Sequence, residues 1–130
     1  MADAGVKLIT GTDAPPIPGL VPGYCLHDDL AAPENAGLSR YQVLSSATRV
    51  PGEFISRRVP GATRFGTVTV GGRADLILSS DDPLNDLNTL RNPVGVMAQG
   101  KWYSRAELEQ LRTDVANEYH SACNSDEKQP

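Results

Sequence analysis

The apolar positions of this chain fall in short, interrupted stretches. Val6, Leu8 and Ile9 lie within Gly5–Thr10 without clean alternation, the pattern of a strand buried on both faces, as in a parallel sheet. Ala14–Gly23 is rich in proline and glycine. Without the proline N–H groups it can form neither a regular helix nor a central strand, so it reads as a long loop. A helix is expected to start near His27, and Pro33 is expected to cut it short. Ser39 with Gln42 makes a capping box and Leu38 with Val43 the matching hydrophobic staple, which predicts a helix over Arg40–Thr48. Pro51 opens a second short turn carrying Phe54 and Ile55.

The period then changes. Arg57–Arg64 is a basic connector. Thr67–Val70 alternates, Gly71-Gly72 turns and Ala74–Leu78 returns, which predicts a β-hairpin. Asp81-Asp82-Pro83 stops the second strand. Val94–Gln99 is a further strand, and Gly100-Lys101 is a tight turn into Trp102 and Tyr103. Ser104 with Glu107 is a second capping box, with Tyr103 and Leu108 as its staple. Leu108, Leu111, Val115 and Tyr119 share one face of the helix that follows. The polar tail after Cys123 is expected to fray. The chain has no internal repeat.

Length and charge narrow the classes. A chain of 130 residues is one domain by the usual prior, and too short for a complete (β/α)₈ barrel of roughly 250 residues. The formal charge is −4, from 12 basic and 16 acidic residues, which argues against nucleic acid or an anionic membrane as partner. No apolar run approaches the ~18 residues of a membrane span. The N-terminus shows no basic and apolar leader. A cytoplasmic location, with Cys25 and Cys123 reduced, is therefore expected.

Several candidate chemistries carry little weight. Gly71-Gly72 is not followed by Lys-Ser/Thr, so it is no phosphate loop. No Gly-x-Ser-x-Gly elbow is present. Arg57, Arg58, Arg64 and Arg73 could hold an anion, but read better as a solvated connector. Trp102 and Tyr103 are expected to pack on the last helix. Cys25-x-His27 and His120-x-x-Cys123 together hold two sulfurs and two nitrogens, the donors of a tetrahedral zinc site. Their separation in sequence and the terminal position of Cys123 weigh against it.

The order and spacing of several stretches resemble the C-terminal part of an amidohydrolase-superfamily enzyme of the imidazolonepropionase-like or prolidase-like type. Ala4–Ala14, with Gly11-Thr12-Asp13, looks like the eighth barrel strand and its terminal aspartate. Leu26–Leu30, Ala36–Ser39, Ala47-Thr48 and Pro51 resemble the segment and helix after it. Phe65–Val68, Gly71–Leu78, Asp82–Leu84 and Val94–Trp102 resemble the returning small β-domain. The resemblance covers roughly residues 4–112. Ala31-Ala32-Pro33 departs from it, where the family would continue a helix.

The resemblance implies an α+β fold: the last strand and helix of a truncated, incomplete barrel, then a small β-domain of hairpins and a C-terminal helix. Residues 1–56 would be the barrel remnant, 57–103 the β-domain, 104–122 the helix and 123–130 a polar tail. It also implies a hydrolase that uses a divalent metal, zinc, to attack carbon–nitrogen bonds other than peptide bonds. Asp13 matches the metal-binding and proton-relaying aspartate, and His27 a position near the active-site rim. The family's His-x-His pair is missing, since His27 and His120 are the two histidines. One matching aspartate cannot make a three-ligand metal site. The chain alone is therefore expected to bind no metal and to be inactive on small-molecule amides. An orphaned first strand would expose both edges, so a homo-oligomer is expected, a homodimer first of all, with strand exchange as one route to it. The alternative is a non-catalytic module that self-associates or binds a ligand or protein, with Ala14–Gly23 as its rim.

Overall fold

The computed structural model describes residues 6–14 and 23–126, with side chains to residue 118. Its elements are α1 (Leu26–Asn35), α2 (Arg40–Ala47), α3 (Arg49–Arg58), β1 (Leu76–Leu78), a 3₁₀ helix (Leu87–Arg91), β2 (Gly95–Ala98), β3 (Lys101–Ser104) and α4 (Arg105–Asp126). The strands form one antiparallel sheet in the order β1-β2-β3. The fold class is α+β.

The helical half is built by local signals. α1 passes through Pro33 instead of stopping before it. The proline lies in the last turn, where its missing N–H removes one bond only. α1 then closes in a Schellman motif: Gly37 N–H donates to Glu34 O at 2.9 Å and Leu38 N–H to Pro33 O at 3.0 Å. Gly37 sits at φ 96°, the left-handed conformation that motif requires. Leu38 is thereby laid against the core. Ser39 and Gln42 make the expected capping box of α2. The short turn expected at Pro51 is a full helix of 10 residues, α3. Pro51 stands in its first turn, where an N–H has no intrahelical partner anyway.

The core is small. Leu30 of α1, Val43 of α2 and Leu87 of the 3₁₀ helix are buried together, with Leu26, Leu38, Leu44, Ala47 and Leu90 packed around them. Val43 is fully enclosed. Leu87 and Leu90 thus tie the second half of the chain to α1 and α2. Arg40 reinforces the joint, donating from Nε to Glu34 Oε1 and from Nη1 to Asn85 O, both at 2.6 Å.

The β half differs from expectation in its pairing. Thr67–Val70 forms no strand, and Leu76–Leu78 pairs with Gly95–Ala98 across the intervening 3₁₀ helix. Alternation at Thr67–Val70 has no buried face to serve, since Val68 and Val70 are 84% and 106% exposed. The expected β2-β3 hairpin forms, but its turn lies one residue earlier than Gly100-Lys101, because Lys101 already pairs with Ala98. Its turn is Gln99-Gly100, with φ 51° and 81°, the two positive φ values of a type I′ turn. Asp75 accepts from Gln99 N–H at 2.7 Å. That bond, followed by the neighbouring Arg73, holds its carboxyl below the ordinary range. The Trp102 ring lies over Gly95 in β2, and the residue is 41% exposed.

Ser104 ends β3 and caps α4 at once: its N–H and hydroxyl donate to Glu107 Oε2 at 2.8 and 2.6 Å. α4 continues to Asp126, past the end expected at residue 122. The Pro-rich segment 15–22 and the tail from 127 lie outside the described residues. No helix among the described residues is long and apolar enough to cross a membrane.

Candidate functional site

The segment expected as the eighth barrel strand makes no strand pairing in residues 6–10. A strand exists only through a ladder partner, and the described chain offers this segment a helix instead. Thr10 N–H donates to Ser46 O of α2 at 3.1 Å. The Thr10 and Ser46 hydroxyls meet at 2.6 Å, and Ser46 Oγ donates on to Val43 O at 2.7 Å. The serine proton is thereby used, so Thr10 is the donor of the hydroxyl pair. Lys7 Nζ reaches Glu53 Oε2 of α3 at 2.5 Å, which lowers the Glu53 carboxyl below its usual value. Val6 and Ile9 stay half-exposed, at 55% and 51%.

Asp13 ends this segment. Its side chain is exposed and its φ is 51°, an uncommon conformation that aspartate tolerates better than most residues. Just before it, Thr12 Oγ1 accepts from Ala14 N–H at 3.3 Å. His27 stands in the first turn of α1, half-buried, with its ring edge-on to Tyr24 at 6.5 Å between centroids. Partial burial, then the nearby Arg91 charge, lower its pKa from 6.5, against a smaller opposing pull from Asp28. Arg91 Nη2 donates to Asp28 Oδ1 at 3.2 Å.

Asp29 is a polar position not singled out by the sequence. Leu8, Ile9, Thr10 and Gly11 on one side, and Asp29, Pro33, Leu38 and Ser46 on the other, line a hollow of about 260 Å³. Asp29 Oδ2 is buried there without a hydrogen-bond partner. An unpaired buried acceptor is costly, and this one would take an N–H or O–H donor. In sequence Asp29 reads as one more acidic residue of a helix start.

A wider hollow of about 610 Å³ lies among Ser80, Asp81, Asp82, Asn85, Asp86 and Arg105. Its carboxylates are engaged in the chain itself: Asp82 Oδ1 accepts from Leu84 N–H and Asp86 Oδ1 from Asn88 N–H, both at 2.9 Å. Among the described residues no three His, Cys, Asp or Glu side chains come together as metal ligands. Neither Asp13 nor His27 belongs to such a group among the described residues. Cys25 is buried beside α1, whereas the side chains of His120 and Cys123 lie outside those described.

No family model matches the chain, and no curated protein matches it in sequence. Among solved structures it is similar to a Xaa-Pro dipeptidase with methionine bound in the active site. The TM-score is 0.63 and the identity 25%, over 79% of this chain and 23% of that one. The chain spans less than a quarter of the dipeptidase's length, and in fold it is similar to a part of that enzyme.

Proposed function

We propose that this chain is an amidohydrolase-like unit, related in fold to metal-dependent hydrolases of amide-type carbon–nitrogen bonds and inactive by itself. The likeness to one part of a Xaa-Pro dipeptidase carries the reading. That neighbour's name adds the dipeptide bond to the expected carbon–nitrogen bonds other than peptide bonds. Asp13, at the end of segment 6–10, is the residue assigned to the metal side of such a site, with His27 at its rim. Other polypeptide must supply the remaining ligands. Self-association into a homodimer belongs to the same proposal.

Native mass spectrometry with added Zn²⁺, before and after chelation, tests it. The expected result is a dimer without stoichiometric metal and without hydrolysis of dipeptides or lactams. One zinc per subunit or per dimer, lost in Asp13→Asn, would overturn the inactive assignment.

The buried, unpartnered Asp29 Oδ2 favours a second reading, a pocket for a small ligand bearing an N–H donor. Nuclear magnetic resonance titration with small primary amines and amides tests it. Shifts confined to Thr10, Asp29 and Ser46 and abolished in Asp29→Ala would support it. No shifts at millimolar ligand would exclude it.

A further inference from the structure

Over its described side chains, α4 leaves the sheet with little packed against it. Its described side chains from residue 111 to 118 are all exposed, and of Leu108, Leu111 and Val115 only Leu108 is half-buried. Leu111 is 48% and Val115 53% exposed. Tertiary packing of an apolar face supplies most helix stability in proteins, and residues 111–118 of this helix lack that contribution.

Leu108, Leu111 and Val115 follow one another at spacings of three and four residues, the a/d spacing of a coiled-coil seam. The charges beside the seam are sorted by side. At about 100° per residue, Arg105 and Arg112 fall on one flank and Glu107 and Asp114 on the other. Arg105 is turned back onto the carbonyls of Asn92 and Pro93, at 2.9 and 3.0 Å, so Arg112 is the charge its flank offers. Glu107 uses Oε2 in the cap of α4, which leaves Oε1.

This sorting selects an orientation. Two parallel copies bring the acidic flank of each helix against the basic flank of the other, whereas antiparallel copies oppose like charges. We infer that α4 is a self-association helix: two copies of the chain pair in parallel through Leu108, Leu111 and Val115, with Glu107 of each facing Arg112 of the other. The inference rests on the proposed self-association and places it on α4, whose exposed stripe and sorted charges suit a second copy.

Sedimentation equilibrium of the full chain tests it. The seam is short and belongs to the smallest interfaces, so the measurement is made at about 100 µM. The expected result is a wild-type dimer, a monomeric Leu111→Glu/Val115→Glu variant with an unchanged thermal melt, and a dissociation constant about two- to fivefold higher in Arg112→Glu. In a Cys123→Ser background, Leu111→Cys and Val115→Cys should each form a disulfide with its own copy, which only a parallel pair allows at both positions. A monomeric wild type would overturn self-association as a whole. A dimer untouched by the double substitution would overturn only its placement on α4. Cross-linking between Cys at 111 and Cys at 115 in a mixture, without self-linking at both, would overturn the parallel orientation.

Discussion

Gly52 and Gly66 show how much depends on two missing methyl groups. A Cβ at Gly52 would fall on the Phe65 carbonyl oxygen, and one at Gly66 on the carbonyl oxygen of Thr48. The start of α3 and the loop after it therefore touch backbone to backbone. Gly52→Ala and Gly66→Ala should each cost about 1–3 kcal/mol, read as a lower urea midpoint. His27 sets a pH dependence. Its folded-state pKa lies below 6.5, through burial and then Arg91, so the folded state binds the proton less well than the unfolded chain. Its contribution is full above about pH 6.5 and is lost as pH falls through the lowered value. Urea midpoints should drop between pH 7.5 and 5.5, and drop less in His27→Gln. At this scale the sequence was legible where a residue acts on its neighbours. Asp29 was not, because its burial depends on Leu8–Gly11 folding over it.

Helices and strands differ in legibility for the same reason. Both capping boxes could be read directly, since cap and partner are three residues apart. Ser39→Ala and Ser104→Ala should each cost about 1 kcal/mol. The first should lower the global melt, because α2 holds Val43. The second should lower the helical circular dichroism signal with little change in the melt, because residues 111–118 carry no core. Strand pairing was legible only as the β2-β3 hairpin itself, whose two-residue turn, Gln99-Gly100, lies one residue before the expected Gly100-Lys101. β1 finds its partner across the whole 3₁₀ segment, and the nearer, better-alternating Thr67–Val70 goes unused. Pro33 and Pro51 show that a proline's meaning depends on its turn. The last turn of α1 and the first turn of α3 each lose little to it.

The molecule as a whole joins two halves through a few side chains: Leu87 and Leu90 beside α1 and α2, and Arg40 on the Asn85 carbonyl. The α+β class and most elements were legible, but the site was not, because no local stretch holds its partners. Asp13 illustrates this, exposed at the end of a segment that packs on a helix instead of in a strand ladder. Asp13→Asn should leave the thermal melt within about 0.5 kcal/mol of wild type, so any loss of bound metal in that variant reports ligation rather than unfolding. The junction at Ser104 has a further consequence. Strand and helix share this residue, so no linker separates β3 from α4. The helix axis is steered by the strand, as a mast is by its step. Amide vectors of residues 105–118 should fit the same alignment tensor as those of β2 and β3 in residual dipolar couplings, and the arm, about 33 Å long at 1.5 Å per residue, should tumble with the sheet.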